Sequence, residues 1–301
     1  MKLIKPVTVT DSILVSSTVP ENDYSAWSSG TTYSVGNRVI VVSVHKVYES
    51  LINSNLNNNP VTDDGTRWLE IGATNRWKAF DKKIGDPVVQ LNSIEYVLSD
   101  PASNVTAVSL FGLQGISANV TVTDTTAGEV FNETISLLDN RNIVDWYTYF
   151  FEEQTQLEEA LFLNIPPYLG SDVEITVTAA TGTNAEVGQI VFGFLSDIGL
   201  TTYGTSISIE DYSRKETDTF GNFIVVERAF AQLVDYNVSY PTQNSRKIQS
   251  TLAQYRATPI VYIGSEDTSY GTVVYGFYRR FDLTLETPSY SLGAIEVEGL
   301  T

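Results

Sequence analysis

Short runs in which apolar and polar residues alternate recur along much of the chain, and a period of two predicts strands. The clearest is residues 119–124, where Val120 and Val122 share one face and Thr-Ala-Gly at 126–128 follows as a hairpin turn. Further strand-like runs, among them residues 146–151, succeed one another at a spacing typical of sandwiches. We therefore predict an antiparallel, jelly-roll-like β-sandwich over residues 85–198.

The pattern changes in the last third of the chain. Ile248, Leu252 and Tyr255 recur at helical spacing behind Thr242 or Asn244, either of which is a suitable cap residue. Strand-like runs lie on both sides of this segment. The pattern predicts an α+β domain over residues 199–301 with one helix.

The first 23 residues form a separate stretch that ends in the polar breaker Pro-Glu-Asn-Asp at 20–23. Val-Thr-Val-Thr at 7–10 has the period of a strand. We predict an N-terminal strand or arm over residues 1–23 that pairs with a distant part of the fold or with a neighbouring subunit. Its candidate assembly residues are Leu3, Val7 and Val9.

Residues 24–81 contain three of the four tryptophans, and their aromatic residues are separated by turn signals. Short strands, tight turns and a few large rings are typical of a very small β domain. We predict a small three-stranded aromatic module here and a mainly β fold for the whole chain. Two interpretations of the rings stay open: a miniature core, or a surface that stacks on sugars. The rings are Trp27, Tyr33, Tyr48, Trp68, Trp77 and Phe80.

Composition excludes several kinds of partner and site. The net charge of −18 repels a phosphate backbone, so we expect no nucleic acid partner. No apolar run approaches the length of a membrane span, and the absence of cysteine excludes disulfides and thiolate zinc sites. We expect no cofactor and assign no metal site, although Asp63, Asp64 and Asp197 leave calcium open as an alternative.

Catalytic residues are scarce. The chain has no cysteine and a single histidine, His45, which we expect to be a solvated residue at a turn, so nucleophilic catalysis by a triad is disfavoured. Glycoside hydrolysis remains a remote alternative because it requires only two carboxylates. The densest acidic group could equally be a solvated loop, and we predict that the chain is not an enzyme. That group is Glu152, Glu153, Glu158 and Glu159.

A set of aromatic, glycine, valine and proline positions recurs through residues 24–81: Trp27, Tyr33, Gly36, Val39, Tyr48, Glu49, Ser50, Pro60 and Trp68. At these positions the module resembles the carbohydrate-binding modules of family 5/12. The resemblance implies that Trp27, Tyr33, Tyr48 and Trp68 form a carbohydrate-binding site. Leu51 and Ile52 stand where such modules carry exposed rings, and this departure favours a decorative or interface role over sugar binding. Trp77 and Phe80 are then expected to fix the module to the sandwich.

Five short segments outside a simple strand pattern are informative about the whole chain: 48–50, 74–81, 145–151, 188–193 and 211–221. In these segments the sequence resembles structural proteins of tailed bacteriophages. The resemblance implies a structural component of a tail, tail tip or baseplate, made in the host cytoplasm and located in the virion. Its partners would be other tail proteins and copies of itself in a symmetric assembly. A host surface polysaccharide is the alternative partner, bound by the module or by a sandwich loop.

Overall fold

A computed structural model describes residues 1–139, 143–151, 155–217 and 219–300. Strands make up 50% of the structure and helices 12%, which confirms the prediction of a mainly β fold. The first fifteen strands are β1 (Lys2–Pro6), β2 (Leu14–Ser17), β3 (Thr32–Tyr33), β4 (Arg38–Val41), β5 (Lys46–Ser50), β6 (Asn55–Leu56), β7 (Trp68–Ala73), β8 (Val88–Leu91), β9 (Ser93–Ser99), β10 (Ala107–Phe111), β11 (Ser117–Asp124), β12 (Gly128–Ser136), β13 (Leu138–Asp139), β14 (Thr155–Gln156) and β15 (Glu159–Phe162).

The remaining strands are β16 (Asp172–Thr178), β17 (Asn184–Val187), β18 (Gln189–Asp197), β19 (Leu200–Thr201), β20 (Ser206–Asp211), β21 (Arg214–Thr217), β22 (Phe223–Val226), β23 (Phe230–Pro241), β24 (Ile260–Ile263), β25 (Val273–Thr284) and β26 (Tyr290–Gly299). The helices are α1 (Trp146–Phe151) and α2 (Ser245–Gln254). Short 3-10 helices lie at Val42–Val44, Pro60–Thr62, Asn75–Phe80, Thr242–Asn244 and Thr268–Tyr270.

The largest sheet has ten antiparallel strands and runs through most of the molecule. Its order is β15-β10-β18-β1-β24-β25-β26-β23-β19, and β20 also pairs with β23. It takes strands from residues 1–23, 85–198 and 199–301. The domain boundary predicted at residue 198 therefore does not separate two sheets.

The N-terminal strand lies in the middle of this sheet. Ile4 pairs with Leu195 on one side and with Val261 on the other, and Leu3 is fully buried. Of the two alternatives predicted for this segment, pairing with a distant part of the fold is the one observed. Both edges of the strand that carries Leu3 are paired within the chain, which leaves no free edge there for a neighbouring subunit. The strand ends at Pro6, so Val7 and Val9 lie beyond it. Their half-buried side chains pack against the sandwich core.

A sandwich forms where a second sheet, β12-β11-β16-β9-β2, packs on the β15-β10-β18 part of the large sheet. Their shared core contains Val120 and Val122 from β11 and Phe192 from β18. Alternation along β11 puts these valines inward and the threonines between them outward. This is the two-layer arrangement that the period-two pattern predicts.

Helix α2 covers the same face of the large sheet farther along. Ile248 and Leu252 are buried against Tyr236 and Tyr262, which confirms the predicted helix and its apolar face. Tyr255 is the C-cap residue and is only partly buried. Asn244 precedes the helix without a side-chain capping bond.

The aromatic module contains the three-stranded sheet β4-β5-β7 and the small pair β3-β6. A row of rings connects it to the sandwich. Trp77 meets Phe80 edge-on at 5.9 Å between ring centroids, and Phe80 meets Tyr96 at 5.4 Å. Tyr96 is fully buried, and its hydroxyl donates to the Arg76 carbonyl at 2.6 Å. These contacts confirm that Trp77 and Phe80 fix the module to the sandwich.

Candidate functional site

The rings assigned to carbohydrate binding form the core of the module instead. Tyr33, Tyr48 and Trp68 are only 8%, 6% and 2% exposed, and Trp27 packs against them half-buried. Tyr33 and Trp68 meet edge-on at 5.2 Å between ring centroids. Stacking on a sugar requires a ring face open to solvent, so Tyr33, Tyr48 and Trp68 do not form such a platform. The miniature-core interpretation is the one that fits these residues.

His45 is not the solvated residue that we expected. Its ring stacks on Trp77 at 4.0 Å between centroids, and its side chain is 18% exposed. Nδ1 lies 2.9 Å from Glu21 Oε1, and Nε2 lies 2.9 Å from Asp11 Oδ1. The contact with Glu21 is a hydrogen bond, whereas Nε2 lies near Asp11 without hydrogen-bond geometry. Glu21 therefore connects the N-terminal segment to the turn that carries His45.

The aspartates considered for calcium are engaged in local turns. Asp63 Oδ2 accepts from the backbone N–H groups of Gly65, Arg67 and Trp68, each at 3.0 Å. Asp64 accepts from Thr66, whose hydrogen bonds lower the pKa of the Asp64 carboxyl. Within the ranges that the structure describes, no group of three or more acidic or histidine residues is placed to hold a metal ion.

A cavity of about 680 Å³ opens beside the edge strand β15 of the large sheet. Phe111 and Tyr275, stacked at 5.8 Å between ring centroids, line its apolar part together with Val273. Glu158, which is exposed, and Glu159, which is half-buried, line it as well. Burial, and then the neighbouring Glu158 charge, raise the pKa of Glu159 to about 7. The other two members of the predicted acidic group, Glu152 and Glu153, lie outside the described residues.

Replacing Glu159 with glutamine is expected to raise stability at alkaline pH. A carboxyl whose pKa is raised from 4.5 to about 7 binds more protons in the folded state than in the unfolded state across that window. The free energy of unfolding of the wild type therefore falls as the pH rises from about 4.5 to about 7. Urea unfolding should show the glutamine variant more stable by about 1 to 3 kcal/mol at pH 8 and nearly equal at pH 4. The exposed Glu158→Gln change is the control and should have a smaller effect; an equal gain for Glu159→Gln at both pH values would contradict the assignment.

A hairpin of β21 and β22 continues the paired strands β20 and β23 beyond the body of the large sheet. The pairing of Asp211 with Phe230 is followed by that of Arg214 with Val226. Every residue of β21 and β22 is exposed, although β22 reads Phe-Ile-Val-Val. We call residues 214–226 the arm. Its apolar strand has no cover on either face within the part of the chain that the structure describes.

Helix α1 is a second uncovered apolar segment. Among the described residues its rings pack on one another, as Trp146 on Phe150 and Tyr147 on Phe151, and Trp146 is 78% exposed. The sequence led us to expect a strand here. Asp145 instead starts a helical turn, because its carboxylate accepts from the Thr148 N–H at 2.8 Å and its carbonyl from the Tyr149 N–H at 3.0 Å.

The arm and α1 are each connected in sequence to residues that line the cavity. Ala229 and Phe230 at the base of the arm line the cavity, and so do Asp139 and Thr155, which lie on either side of the segment that contains α1. We call the arm, the cavity and α1 together the apolar end. Sequence reasoning missed it because apolar runs were taken as buried. The signal was available: the run at 146–151 is aromatic at every position except 148, without the alternation of a half-buried strand.

Comparisons of the chain with protein-family models, curated proteins and solved structures found no match. In the described ranges, neither helix has the length and apolar character needed to cross a membrane.

Proposed function

We propose that this chain is a structural component of a bacteriophage tail or tail tip, where it forms a symmetric multi-subunit assembly through β-rich interfaces. The observation that carries the proposal is the exposed apolar end. Monomeric proteins rarely expose contiguous apolar patches of more than a few hundred Å². An exposed apolar surface of this kind supports the proposal that the chain functions in a complex with other chains.

The exposed area is of the size that a stable interface needs. The five rings of α1 are each 55% to 78% exposed, and the residues of β22 are 48% to 78% exposed. With aromatic side chains covering about 150 to 250 Å² each, the two segments together offer roughly 1,000 Å². A standard interface buries about 800 Å² on each partner.

Charge limits where copies of this chain can meet. At a net charge of −18, most of the surface repels a second copy. Two segments of the apolar end are poor in acidic groups: residues 143–151 include only Asp145, and β22 includes no charged residue. Copies of the chain and other tail proteins are therefore the proposed partners. The role is non-catalytic, in a virion assembled in the host cytoplasm.

The alternatives have weaker support. Carbohydrate binding was inferred from rings of which three prove to be core residues. Glycoside hydrolysis would rest on Glu158 and Glu159 at the cavity, together with Glu152 and Glu153, which lie outside the described residues. The apolar end favours neither of them.

A double change, Trp146→Ser with Phe150→Ser, is expected to reduce assembly of the purified chain. Both rings are more than two-thirds exposed and contribute little to the fold of the single chain, so thermal unfolding should be nearly unchanged. Light scattering coupled to size-exclusion chromatography measures the assembly. The control is Leu69→Ser, an exposed apolar position in the module. A wild-type chain that stayed monomeric at high concentration, with antibodies that failed to label phage tails, would overturn the proposal.

A further inference from the structure

We infer that the arm of one copy docks in the cavity beside β15 of a second copy. This inference rests on the proposed function, which requires the chain to assemble, and it names the partner and the contact. Arm and cavity are different surfaces of the chain, so the contact would be head-to-tail. Repeated head-to-tail contacts close into a ring when the rotation between subunits allows it.

The arm requires cover on both faces. Side chains alternate along β22, so Phe223 and Val225 point to one face while Ile224 and Val226 point to the other. All four are exposed, and Phe220 in the connecting turn is 90% exposed. An isolated two-stranded hairpin is marginally stable in water. An element that is apolar on both faces suits insertion between two walls better than contact with a flat surface.

The cavity offers such walls. Its volume of about 680 Å³ accommodates several side chains, and Phe111, Val273, Tyr275 and Leu300 give it apolar lining. Phe230, at the base of the chain's own arm, lies at its edge. Phe220 in the turn of the arm can therefore pack on Phe111 and Tyr275 of the cavity.

Charge complements this apolar fit. The described residues that line the cavity include Glu158 and Glu159 but no lysine or arginine. The polar strand of the arm carries Arg214 and Lys215, with side chains 59% and 62% exposed. Arg214 pairs with Glu216 of the same strand at 2.6 Å, and Lys215 pairs with Asp211, which precedes the arm, at 2.5 Å. Exposed ion pairs of this kind contribute little, so these cations can exchange partners for the cavity carboxylates at small cost.

The arm is poorly placed to fill the cavity of its own chain. Its base at Ala229 and Phe230 lines that cavity, whereas none of the described residues within 214–226 does. The Tyr212 N–H donates to the Ala229 carbonyl at 3.3 Å, so the arm extends the direction of β20 and β23. Four further residue pairs carry its turn roughly 13 Å outward at about 3.3 Å per residue. A second copy can receive the turn without any reversal of the strands.

Disulfide trapping tests the docking, and the chain suits it because it has no cysteine of its own. Thr217→Cys puts one thiol on the arm, and Gln156→Cys puts one at the cavity; both sites are exposed. Each variant is purified reduced, mixed with the other and oxidised. We expect several-fold more covalent dimer from the mixture than from either variant alone. The matched control pairs Thr217→Cys with Leu56→Cys, an exposed position on the module, and should give only background.

The outcomes separate the inference from the proposed function. Wild-type chains that fail to assemble would overturn both. Wild-type assembly without selective trapping of the Thr217→Cys and Gln156→Cys pair would overturn the docking and leave the structural role standing. The same holds if Thr217→Cys crosslinks mainly to itself, since that would indicate arm-to-arm pairing. Thermal unfolding of each variant, matched to the wild type, confirms that the thiols report on a folded chain.

Discussion

Replacing Trp68 with alanine is expected to destabilise the aromatic module by about 3 to 5 kcal/mol. The side chain is 2% exposed and packs edge-on against Tyr33, and its indole N–H donates to the Asn58 carbonyl at 3.0 Å. The change removes the largest buried side chain of this small core and leaves a cavity in its place. Urea unfolding, followed by the fluorescence of the remaining tryptophans, measures the loss.

The adjacent position provides a matched control for this change. Leu69 follows Trp68 on the same strand but is 48% exposed, so Leu69→Ala should change stability by less than about 0.5 kcal/mol. Comparing Trp68→Ala with Leu69→Ala distinguishes a role of Trp68 in the core of the module from a role in a sugar-binding surface. A Trp68→Ala protein that unfolded like the wild type but lost binding on a glycan array would contradict the core assignment.

Leu3→Ala is expected to destabilise the whole chain by about 2 to 5 kcal/mol. Leu3 is fully buried and belongs to the core that α2 covers, with Ile260 and Tyr262 on the adjacent strand. Because its strand joins β18 to β24, the cavity left by the change lies at the middle of the ten-stranded sheet. Equilibrium unfolding in urea measures the effect.

Val15→Ala controls for the Leu3 change. Val15 is also apolar and also precedes the module, but it is 58% exposed on β2, so its truncation should be nearly neutral. If Leu3→Ala left unfolding unchanged but dissociated an oligomer, Leu3 would have the assembly role that the sequence first suggested.

The elements that the sequence predicted well are those whose signal is local. Val120 and Val122 alternate with threonine and are both buried, and Ile248 and Leu252 repeat at helical spacing and are both buried. In each case the residues that define the pattern lie within a few positions of one another. Side-chain direction in a strand or helix then determines which of them face the core.

The sheet order required information that alternation does not contain. A period of two indicates that a strand has a buried face, but not which strands lie beside it. Leu3 and Ile4 face opposite sides of the large sheet and are both buried, which marks a strand covered on both faces. Their pairing with β18 and β24 depends on residues far along the chain, beyond what any local pattern specifies.

The candidate site was missed for a different physical reason. Aromatic runs such as that of α1 and apolar runs such as β22 are usually buried, and the sequence offers no sign of what buries them. In the single chain both remain exposed. The module shows the converse: the spacing of its rings predicted a small β domain, and only the exposed fractions of Tyr33, Tyr48 and Trp68 decided between core and platform.

The central position of β1 also affects how the chain folds during synthesis. Ile4 and Val261 are neighbours in the sheet although more than 250 residues separate them. Translation at about 5 to 20 residues per second makes β24 tens of seconds after β1. Throughout that interval β1 lacks one of its two neighbouring strands, so Leu3 and Ile4 cannot be fully buried. Contacts between residues so far apart in sequence also form slowly. Co-translational folding can therefore complete the module and the five-stranded sheet early, whereas the ten-stranded sheet forms only after β24 has been made.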